Sequence, residues 1–405
     1  MTNTTDVAII GAGPYGLSLA AHLAARGIDH RIFGRPMDTW RAHMPHNMFL
    51  KSEGFASNLS APASDSTLKA WCQTNGVAYA DRALPIPLAD FNRYGESFQK
   101  RFVPGLEHDH IAGLDRREEG FELTLESGEI VRARQVVLAV GVTWFAHLPR
   151  AFAALGSERV SHTHDHRTVE QFHNRTVAVL GGGASAVNIA HLLFQSGIEV
   201  RLIVREPALS FNTPPKQDGE SLLFQLQNPP SPIGRGWSSY FSAQAPLLFY
   251  RLPPALKQRA IASHSHPSSG WYMRSDVEGR IPAALGRTVA KAEAAGDRVA
   301  LTLLSPSGRE ERFDCDHVIA GTGYHVDMAR IPFLAPGLLS RISCAGGSPI
   351  LSDCFETTVP GLHTVGLTAM DSFGPLMRFM AGTEFASRRL TEHFARSVPA
   401  LSRAA

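Results

Sequence analysis

A short apolar strand that runs into a glycine-rich turn and then a helix occurs twice in this chain, and nothing else in the sequence restricts the fold as much. Asp6-Val-Ala-Ile-Ile10 leads into Gly11-Ala-Gly13-Pro14-Tyr15-Gly16, then into the helix formers Leu17 to Arg26, closed by Gly27. Strand, tight turn, helix and glycine stop are the opening of a dinucleotide-binding βαβ unit. The three glycines differ in what they make possible. Gly11 makes the turn, Gly13 lets the backbone approach a pyrophosphate, and Gly16 lets helix lie close on strand. Phosphate oxygens then rest on the free N–H groups at the helix N-terminus, where Pro14 and Tyr15 stand. The same order returns at Thr176–Leu180, at Gly181-Gly-Gly183-Ala184-Ser185-Ala186, and in a predicted helix over 187–195 closed by Gly197. One glycine motif is weak evidence, but two in the same strand–turn–helix setting are strong.

A second duplication supports the first. Phe121–Leu125, Ser127-Gly128 and Ala133–Gly141 predict a strand, a turn and a buried strand ending in glycine; Arg298–Leu304, Ser307-Gly308 and Cys315–Gly323 repeat that order. The 405 residues exceed what one compact core usually holds. The expectation is an α/β protein of two Rossmann-like dinucleotide-binding domains, each with a small antiparallel β-meander, the second inserted in the first. Residues 1–150 begin the first domain, 151–323 form the second, and 324–405 return to the first. Within the second, 210–282 is an insertion rich in proline and aromatic residues, among them Trp237, Tyr240, Phe241, Phe249, Tyr250, Trp271 and Tyr272. Such a stretch is either a lid or binding loop, or a surface excursion packing its aromatics on the domain beneath.

Composition excludes several classes. Lys+Arg 39 against Asp+Glu 37 gives a formal charge of +2, so the overall balance makes no electrostatic case for nucleic acid or for an anionic membrane as the main partner. The four cysteines contain no C-x-x-C pair, which removes a disulfide-reductase centre and a zinc knuckle. Cys315, in a predicted buried strand, is a small apolar residue. The start lacks the pattern of a secretory signal, and no apolar run reaches the roughly 18–20 residues of a transmembrane helix. A cytoplasmic protein with no transmembrane segment is the expectation.

The acid that usually holds a ribose about 20 residues after a first glycine motif is replaced by Gly34, leaving Asp38 as the nearby carboxylate. After the second motif, the strand Glu199–Val204 ends in Arg205-Glu206. Arg205 suits the 2′-phosphate of NADP, because a guanidinium forks onto phosphate oxygens; Glu206 would instead accept from a free ribose hydroxyl, so NADH stays open.

With these residues assembled, the chain resembles the two-dinucleotide flavoproteins, and more narrowly the class B flavin-dependent monooxygenases, which include flavin-containing and N-hydroxylating enzymes. Gly11 to Ala20 resembles their FAD motif, Asp38-Thr-Trp40-Arg41 the tryptophan segment beside the flavin, and Met48-Phe-Leu-Lys51-Ser52 the Phe-Leu-Lys-Asp segment of amine N-hydroxylases. Asp316 to Tyr324 is similar to the element closing the NADP domain, with Gly321 in place of alanine before Thr322, Gly323 and Tyr324. Val365-Gly366 and Ser372 to Arg378 resemble the last strand and helix start of the family, and a helix beginning near Pro375 and Leu376 would aim positive partial charge at the flavin. Of the linker motif before the NADP glycines only His162 survives.

The resemblance implies an NADP domain inserted in a FAD domain, with Gly141 ending the strand beside the FAD turn. It also implies FAD and NADPH as cofactors and molecular oxygen as co-substrate, acting through a C4a-peroxyflavin on a small organic molecule. Catalysis then belongs to the cofactor, and the protein binds, orients and excludes water. Lys51, Ser52 and Asn58 are expected to line the reacting pocket, with Asn212 and Arg378 near it. Lys51 is otherwise a surface lysine, and Arg205 a solvated arginine after a strand. Two rival functions share both nucleotide motifs: a flavoprotein reductase serving a partner or quinone, and a nucleotide-binding sensor without turnover. His162, His164 and His166 alternate, so an extended segment would turn all three one way; with no cysteine beside them, a polar linker is expected and no metal site. The amphipathic stretch from Leu247 to Arg259 is expected to pack over the nicotinamide cleft, the alternative being a membrane surface.

Overall fold

Continuous apolar runs with no polar alternation are the mark of strands covered on both faces, and they form the centres of two parallel sheets. In the computed structural model, residues 3–214, 221–264 and 266–397 are described; Pro215, at the start of the insertion, lies outside them. Strand β1 (Thr4–Ile10) pairs in parallel with β2 (His30–Phe33) on one side and with β5 (Ile130–Leu138) on the other. Strands β3 (Ile111–Arg116) and β4 (Phe121–Leu125) continue the sheet antiparallel beyond β5. The nine residues of β5 serve two neighbours along one edge: β4 on the N-terminal half and, in parallel, Leu362–Thr364 on the C-terminal half. The chain thus comes back to its first sheet after building another. Helix α1 (Pro14–Ala25) is buried along Leu17 to Leu23 and packs against the C-terminal helix Thr383–Ser397.

The second sheet has five parallel strands. In order they are Ala283–Leu285, β8 (Glu199–Val204), β7 (Thr176–Leu180), His317–Ala320 and β6 (Val160–His162). Helix α5 (Ala184–Gln195) follows the second glycine turn, starting three residues before the predicted helix because Gly183 itself is the N-cap. The two meanders differ. The first is continuous with its parallel sheet, whereas Thr288–Ala295, Arg298–Leu304 and Glu310–Cys315 form a separate antiparallel sheet. Cys315 is fully buried, as expected.

Two sequence expectations are corrected. No α-helix begins at Pro375: Pro375–Arg378 is a single 3-10 turn, Met380–Gly382 is another, and the long helix starts at Thr383. The Tyr15 hydroxyl, 2.9 Å from both the Met377 and the Phe379 carbonyl oxygens, occupies acceptors that a continuous helix would use. The alternating histidines do not share a face either. Thr163–Asp165 closes into a 3-10 turn, so His164 folds back onto His162 while His166 meets Ser161 on the other side. The amphipathic stretch is split by Pro253-Pro254 into α8 (Pro246–Tyr250) and α9 (Pro254–His264). Only Pro246 and Phe249 of these two helices are buried.

Candidate functional site

The first glycine turn opens a cavity of about 1180 Å³, larger than the roughly 300–1,000 Å³ of ordinary small-molecule sites and roomy enough for an extended dinucleotide. Its construction follows from the glycines. Gly11 has φ +112°, and a Cβ there would lie 2.3 Å from the Ala139 carbonyl oxygen; one on Gly16 would lie 1.9 Å from the Gly11 oxygen. Gly13 faces open space, with nothing within 4 Å of where a Cβ would stand. Two glycines close the turn and the middle one leaves its backbone bare toward the cavity, the cradle a pyrophosphate requires.

Besides this turn, the cavity is lined by Gly34, Arg35, Trp40, Gly141, Tyr324 and Arg378, with His110, Glu126, Trp144, Gly366 and Met377. Asp38 and His164 also line it, as do Thr322 and Gly323, which follow the last strand of the second sheet. A single cleft is therefore walled by the first glycine turn, by the segment leaving the second sheet and by the returning chain. Arg41 turns away toward Glu96, 3.2 Å distant, and Gly16, Pro375 and Leu376 pack behind the wall. His162 is also a support. It is buried, its Nε2 lies 3.1 Å from the Gly323 carbonyl oxygen and its Nδ1 2.8 Å from His164 Nδ1. Burial, then the charge of His164, pushes it down to about 4, so at neutral pH it is a neutral support for the segment that leaves the second sheet.

The second turn is built alike but is roofed. Gly181 has φ +111°, and its Cβ would meet the Gly321 oxygen at 2.5 Å; Pro267 of the insertion stands 3.7 Å from where a Gly183 Cβ would be. Ala184, Ser185 and Ala186 form the first turn of α5, and Arg205 ends β8, largely exposed, 3.1 Å from Glu206. The arginine and the acid that favour different nucleotides are thus paired with each other.

The insertion bridges both domains. Tyr272 Oη lies 2.9 Å from the Phe49 carbonyl oxygen, Tyr250 Oη donates to the Leu351 oxygen at 3.1 Å, and the Tyr250 ring stacks on Phe373. Lys51 is held in this seam. Its loop is pinned by Leu50 N–H to the Ile86 oxygen and Leu88 N–H to the Met48 oxygen, and its Nζ donates to the Ser268 oxygen at 2.8 Å. Ser268 Oγ in turn donates to Asn212 Oδ1 at 2.9 Å. Lys51, Asn212 and the insertion therefore form one group. Burial, then the neighbouring Arg378 cation, pushes Lys51 down to about 8, although water still reaches the side chain. Arg378 has no carboxylate in ion-pair range among the described residues. Ser52 and Asn58 serve the loop instead: Ser52 Oγ meets Ser57 Oγ at 2.8 Å, while Asn58 receives the Leu68 N–H and donates to the Phe55 oxygen.

Sequence reasoning missed Arg35, His110, Glu126, His164 and Ser268. Arg35, next to Gly34 at the end of β2, carried a readable signal; the others come together only through the meander, the 3-10 turn and the insertion. No group of three or more metal-ligating side chains occurs among the described residues.

Residues 8–218, about half of the chain, match the family model described as pyridine nucleotide-disulphide oxidoreductase. Among curated relatives, the rice (Oryza sativa subsp. japonica) indole-3-pyruvate monooxygenase YUCCA1 is 28% identical over 212 residues, which cover 49% of this chain and 47% of that protein. A ferredoxin–NADP reductase of Thermus thermophilus is 25% identical over 210 residues, 50% of this chain and 54% of that one. The chain spans about half the length of these curated relatives. Among solved structures, the ornithine N-hydroxylase of Kutzneria sp. 744, determined with reduced FAD, NADP⁺ and L-ornithine, superposes with a TM-score of 0.75 at 17% identity. The match covers 97% of this chain and 99% of that one, and it shows a shared fold.

Proposed function

We propose, for a chain that belongs to the pyridine nucleotide-disulphide oxidoreductase family, that it is a FAD- and NADPH-dependent monooxygenase acting on a small organic substrate. The observation that carries the reading is the shared cleft: the first glycine turn, Tyr324 from the end of the second sheet, and Arg378 from the returning chain line one cavity. FAD held there by residues 11–16, 141 and 366 supplies a two-electron acceptor for NADPH and the place where oxygen is activated. NADPH belongs at Gly181 to Ala186, with Arg205 released from Glu206 to take the 2′-phosphate.

The protein's own contribution is to bind, orient and keep water out. Phe249 packs on the returning chain behind the cleft wall, its ring about 3.0 Å from where a Cβ on Gly374 would lie, and Tyr250 stacks on Phe373 beside it. The free cysteines contain no redox pair, which sets the chain apart from disulfide chemistry. Lys51 and Arg378, two neighbouring cations with no carboxylate in ion-pair range of either among the described residues, suit an anionic group on the substrate or nucleotide.

Anaerobic reduction of the FAD-loaded protein by NADPH and separately by NADH, followed by oxygen and a panel beginning with amines, tests the reading. Product carrying label from ¹⁸O₂ is expected. Rapid reduction with no oxygenated product from any substrate, but transfer to quinone or ferredoxin, would establish the reductase instead. Failure of either nucleotide to reduce bound flavin would leave a sensor.

A further inference from the structure

The insertion shows a second property that the cleft does not use. From residue 221 to residue 275 there is not one Asp or Glu, although 37 acids in 405 residues would place about five in a stretch of that length. The same 55 residues hold Arg235, Arg251, Lys257, Arg259 and Arg274. Their helices α6 (Leu222–Gln227), α7 (Trp237–Gln244), α8 and α9 carry large apolar side chains facing water. Leu223, Leu226 and Leu248 are 65, 67 and 61% exposed, and Trp237, Phe241 and Leu256 about half exposed. Isolated exposed leucines are ordinary; six within one basic excursion are not.

Contacts tie parts of this excursion together. The Trp237 and Phe241 rings, one helical turn apart, lie 5.5 Å from centroid to centroid, and the Arg235 guanidinium lies 5.8 Å from the Phe224 ring, joining α6 to the approach of α7. Helix α7 packs on α8, and α9 has no buried residue at all. We propose that the 221–264 face of the insertion is a docking surface for an anionic lipid bilayer. Leu, Trp and Phe would enter the headgroup–acyl boundary, while Arg251, Lys257 and Arg259 meet lipid phosphates.

Charge selects this occupant. A second copy of the same face would set arginine against arginine, so self-association is disfavoured by like charge. An acidic protein would satisfy the cations, but the apolar residues are spread over four short helices instead of gathered into one anchor, which suits a partner without fixed register. No described helix is long and apolar enough to cross a membrane, so the contact would lie on the surface. Leu248 faces out from the helix whose next residue, Phe249, packs on Gly374 of the returning chain, and Ser268 of the same insertion holds Lys51. Docking would therefore bring the insertion, and with it the seam that holds Lys51, to the bilayer, where an amphiphilic substrate with an anionic head concentrates. The docking itself is independent of the monooxygenase reading.

Flotation of the FAD-loaded full chain with phosphatidylcholine vesicles, with and without about 30% phosphatidylglycerol, at about 0.05 and 0.5 M salt, tests it. Binding is expected to the anionic vesicles, at least about tenfold stronger than to the neutral ones, and to fall at high salt. Leu248→Ser with Leu256→Ser should weaken it about tenfold or more. Arg251→Glu with Arg259→Glu should weaken it by about fivefold or more for each cation removed. Leu84→Ser, an exposed leucine elsewhere, should leave it unchanged. Quenching of tryptophan fluorescence by brominated anionic lipid should be present in the native chain and much reduced in Trp237→Phe. Absence of flotation, flotation indifferent to these variants, dimerisation without lipid that Trp237→Ala abolishes, or retention on an acidic protein matrix with no flotation would each overturn the proposal.

Discussion

One methyl group changes sides between the two glycine turns. In the first domain Gly16 lies against the Gly11 oxygen and the residue after the neighbouring strand is Ala139. In the second, the position of Gly16 is taken by Ala186, and the position of Ala139 by Gly321, whose N–H donates to the Leu180 oxygen as that of Ala139 does to Ile10. A Cβ on Gly321 would lie 2.5 Å from the Ala186 Cβ. The departure of Gly321 from the alanine expected there is thus the partner of Ala186, and the two are legible only as a pair. Gly321→Ala should destabilise the protein by about 1–3 kcal/mol through overpacking. Adding Ala186→Gly should restore most of that, to be read as a double-mutant cycle in denaturant unfolding. Lys51 gives a second prediction. With its ammonium pushed down to about 8, the cation is present below that pH and lost above it. KM for an anionic substrate should rise as pH passes through 8, while Lys51→Met should have a high, pH-independent KM and NADPH oxidation poorly coupled to product.

Element by element, the strands are easy to read from sequence and the turns are not. Val7–Ile10 of β1, Val177–Leu180 of β7 and Val318–Ala320 are unbroken apolar runs, fully buried, so composition alone marks them. The Pro375 segment has the composition of a helix start, but whether a helix forms depends on the Tyr15 hydroxyl, some 360 residues earlier in sequence. The histidine turn escapes sequence reading for the same kind of reason, since His162 is tied to Gly323 and not only to its neighbours. Asn58 and Ser52 look like pocket residues because their segment resembles one, yet their hydrogen bonds hold the loop that presents Lys51. Gly374 is a point where turn and insertion meet, at φ +89° and against the Phe249 ring. Gly374→Ala should cost about 1–3 kcal/mol from strain and contact together. It should also loosen FAD retention, measurable as a lower Tm and faster flavin release on dilution.

Across the whole molecule, buried histidines tie stability to pH. His22 in α1, His166 after the 3-10 turn and His363 on the returning strand are all buried, and burial pushes them down to about 4, 4 and 3. In the unfolded chain they take up protons near 6.5, in the folded one only near 4 or below. Their contribution is therefore present above about 6.5 and lost as pH falls toward 4, by about 1.4 kcal/mol per pH unit for each group. Unfolding free energy measured at about pH 7 and pH 5 should drop accordingly, and His363→Gln should flatten the slope by about one group.

The strand Leu362–Thr364 lies on β5, whose last residue is Leu138. A ribosome must add 226 residues after Leu138 before its partner Thr364 is made, which at about 5–20 residues per second is roughly 10–45 s of synthesis. During that interval the C-terminal half of β5 presents an unsatisfied edge. The inserted domain, whose five parallel strands are all complete by Ala320, is free to close first. The emerging polypeptide therefore matures from the middle outward, and its most aggregation-prone moment falls between the closing of the second sheet and the arrival of residue 364.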